Sequence, residues 1–124
     1  PLLVAVTVLT SMVDSDLRKI AISNSVLKQV MLLAQMTKSS GLDGVVCSAK
    51  EAKYLSAELG KEFCLVTPGI RPVNSNSDDQ KRIMTPAEAI MAGSHYLIIG
   101  RPIIKADDPL AALSAINDEI NSVA

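Results

Sequence analysis

Four apolar runs alternate with four amphipathic segments along the chain, and this rhythm restricts the fold more than any other feature. The runs are continuous and rich in β-branched residues, which is typical of strands covered on both faces; they comprise residues 2–9, 44–47, 63–66 and 96–99. Between them, apolar side chains recur at helical spacing, as Ala52, Leu55 and Leu59 do. Strands alternating with helices predict an α/β fold with a parallel sheet and right-handed crossovers.

Capping residues mark the ends of the predicted helices. Ser48 and Glu51 form a capping-box pattern before one helix, and residues 85–88 form another with a proline at the first helical position. We expect Gly60 to end the first of these helices in a left-handed conformation. The last helix begins near Asp108, and its predicted inner face carries Leu110, Leu113, Ile116 and Ile120.

Four strand–helix units make either an open four-stranded sheet or half of an eightfold barrel. A complete barrel needs about 250 residues, and this chain has 124. A half barrel on its own would leave unpaired backbone groups at both outer strands and one apolar sheet face uncovered. We therefore expect residues 1–124 to form the C-terminal half of a single barrel domain. Because Pro1 leads directly into a strand-like run, the N-terminal half is expected to be missing or to be present as another chain.

Glycine and arginine follow both the third and the fourth predicted strands. Gly69 precedes Arg71, and Gly100 precedes Arg101, with a proline after each arginine. Glycine allows a ligand to approach the backbone, and the guanidinium group matches an oxyanion such as phosphate. Loops after the last two strands of such barrels are frequent phosphate sites. The alternative for Arg101 is a surface residue in an ordinary turn.

Two further candidates for ligand contact follow from position and side-chain chemistry. Gln80 lies in a polar segment from residue 68 to about residue 84, which is long enough to act as a lid. Its amide can donate to a phosphate and accept from a ring nitrogen, although its charged neighbours also suit a solvated face. Thr10 and Ser11 follow the first strand, where hydroxyl groups can contact a heterocyclic ring or simply cap a turn.

The remaining reactive side chains are predicted to be structural. His95 precedes the fourth strand, so it is expected at the end of the sheet opposite the ligand. Cys47 and Cys64 have neither zinc nor redox spacing and are expected to be reduced core thiols, which favours a cytoplasmic protein. No metal-ligand cluster is visible in the sequence.

Charge and composition argue against several partners. The net charge is −1 and aromatic residues make up 2% of the chain, so nucleic acid finds neither a basic surface nor stacking platforms. No apolar stretch approaches the roughly 20 residues that a membrane span requires. We expect a small anionic ligand, with no nucleic acid and no membrane.

Five motifs together resemble the C-terminal half of the orotidine 5′-phosphate decarboxylase family of bacterial type. They are LVAVTVLTSM (3–12), GLDGVVCS (41–48), LVTPGIRP (65–72), DQKRIMTP (79–86) and IGRP (99–102). The resemblance covers nearly the whole chain and implies strands five to eight of a TIM (β/α)8 barrel. It makes Thr10 a contact to the pyrimidine ring and Gln80 a lid residue that bridges ring and phosphate. Gly100 and Arg101 become the phosphate site, and Arg71 a further nucleotide contact.

The resemblance also implies an activity that this chain does not complete. The family converts orotidine 5′-phosphate to UMP in pyrimidine biosynthesis without a metal or organic cofactor. Its proton comes from the lysine of an Asp-x-Lys-x-x-Asp motif, which this sequence lacks, so no catalytic residue is expected here. Family members are homodimers with active sites at the interface. Two alternatives stay open: a related sugar-phosphate decarboxylase or synthase barrel, and a non-catalytic half-barrel fragment.

Overall fold

The computed structural model describes residues 1–72 and 84–124, which form a four-stranded parallel sheet with helices packed on it. The strands pair in chain order, β1-β2-β3-β4. Their bounds are β1 Val4–Val6, β2 Gly44–Val46, β3 Cys64–Thr67 and β4 Tyr96–Leu97. The predicted α/β fold with a parallel sheet is confirmed. Strands β1, β2 and β4 are shorter than their apolar runs, because the ends of these runs leave the ladder to enter connecting segments. Strand β3 has four residues, as many as its run, but begins and ends one residue later.

Six helices occur in the described residues. They are α1 Asp14–Lys19, α2 Val26–Ser39, α3 Ala49–Leu59, α4 Pro86–Met91, α5 Arg101–Ile104 and α6 Pro109–Asn121. Short α5 was not predicted, since Pro102 was interpreted as stiffening a turn; the proline instead lies in the first helical turn, where it needs no hydrogen-bond partner for its nitrogen. None of these helices combines the length and apolar character that crossing a bilayer requires.

The predicted caps of α3 and α4 are present. The Ser48 backbone N–H donates to the Glu51 carboxylate at 2.6 Å, and the Thr85 hydroxyl accepts from the Glu88 N–H at 3.3 Å. Gly60 ends α3 with φ +93°, so the prediction of a positive φ is correct. Its ψ of +156° lies outside the left-handed helical region that was expected. The chain therefore leaves α3 in an extended direction toward β3.

The main core lies between the sheet and helices α2 and α3. Val45 and Leu65 from the two central strands are fully buried there. They pack with apolar residues of both helices, namely Val26, Val30, Ala34, Ala52, Leu55 and Leu59. A second small cluster, Ala49, Ile70 and Ala89, lies beneath the loops that follow β3 and β4. Burial of Ala52, Leu55 and Leu59 explains why their helical spacing predicted α3 correctly.

No helix or strand of residues 1–72 and 84–124 covers the opposite face of the sheet. Four residues in register across the strands point to it: Val6, Val46, Val66 and Tyr96. Val46 and Val66 are half-buried, whereas the edge residues Val6 and Tyr96 are 62% and 57% exposed. An apolar row of this kind is expected inside a sheet that has a second layer or closes on itself.

The predicted inner face of α6 is only partly correct. Ile116 is buried and Ile120 is half-buried, but Leu110 is 79% exposed and Leu113 is also exposed. Helix α6 follows the edge strand β4, so no element of the described chain covers its far flank. The helical periodicity was real, but half of the face that it marks has no partner within residues 1–72 and 84–124.

Gly44 allows β2 and β3 to approach closely, and its replacement by alanine tests this packing. A Cβ at Gly44 would overlap the Cys64 carbonyl oxygen and lie 2.6 Å from the Cys64 Cβ. We expect Gly44→Ala to lower the free energy of unfolding by about 1–3 kcal/mol, measured by urea denaturation. Gly100→Ala is the matched control, because nothing lies within 4 Å of its added Cβ. Equal stability of the two variants would contradict the close approach.

His95 joins β3 to the start of β4 by three hydrogen bonds, consistent with its predicted structural role. Its Nδ1 accepts from the buried Leu65 N–H at 3.1 Å, its Nε2 donates to the Lys61 carbonyl at 2.9 Å, and its own N–H donates to the Leu65 carbonyl at 2.9 Å. We expect His95→Ala to reduce the free energy of unfolding by about 1–2 kcal/mol, because the Leu65 N–H loses its acceptor. An unchanged urea midpoint would show that the side-chain bonds contribute nothing.

Candidate functional site

The parallel sheet brings the segments that follow its strands to one edge. We call this edge the carboxyl rim; it comprises Thr10 and Ser11 after β1, Pro68 to Pro72 after β3, and Ile98 to Arg101 after β4. Because β3 and β4 are neighbours, the two Gly–Arg segments are adjacent on this rim. Thr10 follows β1 and is separated from them by β2.

Arg71 is the most unusual side chain on the rim. It is only 7% exposed, and its guanidinium Nη1 donates to the Ile70 carbonyl at 2.8 Å. Its Nε is buried and has no hydrogen-bond partner among the described residues, and no carboxylate there pairs with the group. A buried cation without an anion is costly. The group is therefore suited to receive an anionic ligand.

The backbone around Arg71 is fixed by a short bridge. Gly69 has φ +75°, a conformation that favours glycine, and it turns the chain so that Ile70 is fully buried. The Arg71 N–H then donates to the Met84 carbonyl at 3.0 Å, and Ile70 and Met84 form an isolated parallel bridge. The described chain on either side of residues 73–83 therefore meets at one place. Gln80 lies outside the described residues.

The Gly100 segment is anchored against the same small cluster. Ile99 packs on the cluster that contains Ile70, and the Ile98 N–H donates to the Thr67 carbonyl at 3.0 Å. Gly100 is exposed and has open space where a side chain would project. Arg101 is half-buried as the first residue of α5. Arg71 and Gly100 therefore each follow directly on an isoleucine, Ile70 or Ile99, that packs in the same small apolar cluster.

Thr10 is buried at 6% exposed, and Ser11 beside it is half-buried. Thr10 has at least one interaction within the protein. Of the predicted contacts, the structure brings together Arg71, Gly100 and Arg101 on neighbouring strand ends. Thr10 lies on the same rim, but after β1, the edge strand at the other side of the sheet.

A buried hydroxyl pair beneath the rim was missed by the sequence analysis. The Thr67 hydroxyl lies 3.0 Å from the Ser94 hydroxyl and 3.4 Å from the Tyr96 carbonyl, and thus joins the end of β3 to β4. Thr67 is fully buried. A hydroxyl residue at the end of an otherwise apolar strand, directly before proline, was the available signal.

Both cysteines are free and buried, as predicted. Burial raises the pKa of the Cys64 thiol, and the nearby Asp43 carboxylate raises that pKa further. The thiol therefore stays protonated near neutral pH and is a poor nucleophile. Cys64 also lies in the amino-terminal half of β3, away from the rim.

Sequence comparisons agree with the architecture. Residues 1–116 match the model of the orotidine 5′-phosphate decarboxylase / HUMPS family. An orotidine 5′-phosphate decarboxylase of Vibrio parahaemolyticus is 61% identical over 98% of this chain, and one from a Marinomonas species is 60% identical over 99%. The chain spans about half the length of these relatives, 52% in each case.

Structural comparison leads to the same family. The crystal structure of an orotidine 5′-phosphate decarboxylase from Lactobacillus acidophilus superposes with a TM-score of 0.81 at 44% identity. The alignment covers 98% of this chain and 50% of that one. The match to the family model and the identity to these relatives both extend over nearly the whole chain, and the chain therefore belongs to the orotidine 5′-phosphate decarboxylase / HUMPS family.

Proposed function

We propose that this chain is part of an orotidine 5′-phosphate decarboxylase and supplies the half that binds the nucleotide. Residues 1–124 correspond in this proposal to the C-terminal half of one (β/α)8 barrel domain, strands five to eight with their helices. The family match, the identity of about 60% to decarboxylases and the half-length coverage support it. The reaction is the replacement of the C6 carboxylate of the pyrimidine by a proton, which releases CO2 and gives UMP.

The observation that carries the proposal is the buried Arg71 guanidinium. It lies on the same rim as Gly100, where open space leaves the backbone accessible to a ligand. A nucleotide phosphate would neutralise the guanidinium charge and form charge-assisted hydrogen bonds with it. Arg101 follows from the adjacent strand end and would bind the same dianion. Gly100 would offer its backbone at close range.

Thr10 and Gln80 complete the proposed binding set. Thr10 would contact the pyrimidine ring, since it lies on the rim two strands away from β3 and so at a distance from the two arginines. Gln80 would bridge the ring and the phosphate from the segment between Arg71 and Met84. Phosphate binding at one end and ring binding at the other orient the base along the rim.

The proton donor is proposed to come from the other half of the barrel. The described rim holds no lysine, and the sequence contains no Asp-x-Lys-x-x-Asp motif. In this division of labour, the present residues bind parts of the substrate that do not react. Their binding energy holds the carboxylate against the charged groups of the other half and so contributes to the rate. No metal or organic cofactor is proposed.

Partners and location follow from the same proposal. The N-terminal half of the barrel would cover the open sheet face and pair with both edge strands. The complete protein would be a homodimer and would act in the cytoplasm, where the two buried free thiols stay reduced. Neither nucleic acid nor a membrane is a proposed partner.

A sugar-phosphate enzyme is the second candidate, because the matching family description also includes HUMPS enzymes. The relatives that are about 60% identical are decarboxylases of orotidine 5′-phosphate, which favours the nucleotide. Titration with UMP and with ribulose 5-phosphate separates the two candidates. Tighter binding of the sugar phosphate would reject the nucleotide.

Complementation tests the activity directly. We expect the chain alone to release no CO2 from orotidine 5′-phosphate, and to gain this activity when it is assembled with the N-terminal half of the Marinomonas relative. The measurement is CO2 release from carboxyl-labelled substrate, with that N-terminal half alone as control. An assembled but inactive complex would contradict the proposal.

Arg101→Ala should weaken UMP binding to the assembled protein by about 2–5 kcal/mol, because a charge-assisted pair to phosphate is lost. Uridine, which lacks the phosphate, should bind both proteins equally in calorimetric titration. Lys105→Ala is the control, since Lys105 is an exposed cation at the other end of α5. Equal losses for UMP and uridine would assign Arg101 a structural role.

Arg71→Met should separate stability from binding. Methionine fills a similar volume without a buried charge, so we expect the free energy of unfolding to rise by about 1 kcal/mol or more. The affinity of the assembled protein for UMP should fall at least tenfold at the same time. A variant that loses stability and keeps its UMP affinity would show that Arg71 serves the fold.

A further inference from the structure

The sheet ends in two complementary edges. Within the described residues β1 pairs only with β2, and β4 pairs only with β3. All four strands are parallel, so a strand added beside β4 in the same direction continues the ladder, and so does one added beside β1. Exposed edges of this kind readily pair with another chain.

The uncovered sheet face is apolar up to both edges. The row Val6, Val46, Val66 and Tyr96 crosses all four strands, and its two end members are the most exposed. Exposure at both ends is expected if the row continues into further strands on either side. A closed ring of eight strands encloses an interior that such side chains fill.

Helix α2 carries an apolar flank on the side away from α3. The Lys38 ammonium group donates to the Leu59 carbonyl at 2.6 Å and so marks the side of α2 that faces α3. At 100° per residue, Leu32 and Met36 lie about 120° and 160° around the helix from Lys38. Both are exposed, and Met36 is 65% exposed.

Helix α6 repeats this arrangement at the other edge. The Ala87 N–H donates to the Glu119 carboxylate at 3.0 Å, so Glu119 marks the side of α6 that faces α4. Leu113 and Leu110 lie about 120° and 180° around the helix from Glu119, and both are exposed. The edge strands and the helices beside them therefore carry matching open surfaces.

We propose that two copies of this chain, in the absence of the complementary half, close on each other as an eight-stranded parallel ring. Strand β4 of each copy pairs with β1 of the other, about a twofold axis that runs along the strands. The apolar rows then form one enclosed interior, and the α6 flank of each copy meets the α2 flank of the other. A second copy fits because the described part of each chain supplies four strands and eight strands close a barrel.

Pairing of β1 with β1 of a second copy is a less favourable arrangement of the dimer. A twofold axis between two identical edges makes the strands antiparallel and leaves both β4 edges open. Closure through β4 and β1 leaves no edge. It also places the carboxyl rims of both copies at the same end of the ring, so that a dimer carries two Arg71 and Arg101 pairs.

Sedimentation equilibrium of the chain alone tests the closure. We expect a single species of twice the chain mass of 13.1 kDa. Tyr96→Lys should raise the dimer dissociation constant at least tenfold, because it puts a charge into the enclosed row. Tyr54→Lys is the matched control: Tyr54 is 55% exposed on α3, outside the sheet, and its replacement should leave the mass unchanged. A monomer, or an assembly larger than two chains, would overturn the proposal.

Cross-linking distinguishes the two pairings without relying on a destabilising change. Leu32→Cys and Leu113→Cys lie midway along α2 and α6, on the flanks that meet. A short bismaleimide should cross-link the Leu32→Cys variant to the Leu113→Cys variant when the two are mixed, and should cross-link neither variant to itself. The control is the chain without either substitution, whose two native thiols are buried and should not react. Self-linking of Leu32→Cys would show β1-to-β1 pairing and overturn the closure. Both tests omit nucleotide, so they can fail independently of the proposed function.

Discussion

Parallel pairing of β3 with β4 is the constraint on which the candidate site depends. It places the segments after both strands on one edge and carries two glycine–arginine pairs to neighbouring positions. The support beneath them is shared: Ile70 belongs to the small apolar cluster, Ile99 packs on that cluster, and Thr67 joins the two strands through its hydroxyl and carbonyl groups. The segment that carries Arg71 and the segment that carries Arg101 are therefore each supported by the neighbouring strand.

Arg71 is a buried cation at this edge, and burial of a charge lowers the stability of the fold. Ile70 and the bridge to Met84 hold the guanidinium in a site where its Nε has no partner among the described residues. Such an arrangement costs stability in the free protein, and under the proposed function the nucleotide phosphate would offset this cost when it binds. The open sheet face is a second exposed surface, since within the described residues no further strand pairs with β1 or β4.

The sequence predicted the elements whose cause is local. Capping residues set the starts of α3 and α4, and helical periodicity identified the buried residues Ala52, Leu55 and Leu59 of α3. The features that were not predicted include α5, the ψ of Gly60 and the exposure of Leu110. They depend on what surrounds each element: α5 depends on how the chain leaves an edge strand, and the exposure of Leu110 depends on which elements pack beside α6. Arg71 was identified from its position after a strand, but its burial required the Ile70–Met84 bridge, which pairs residues that no local pattern connects.

A double-mutant cycle between Arg71 and Arg101, with UMP binding to the assembled barrel as the readout, tests the central claim most directly. If both guanidinium groups bind one phosphate, the loss in the double variant Arg71→Met/Arg101→Ala should differ from the sum of the single losses by about 0.5–3 kcal/mol. Uridine should show no such coupling. Strictly additive losses with UMP would place the two arginines at independent sites and contradict a shared phosphate.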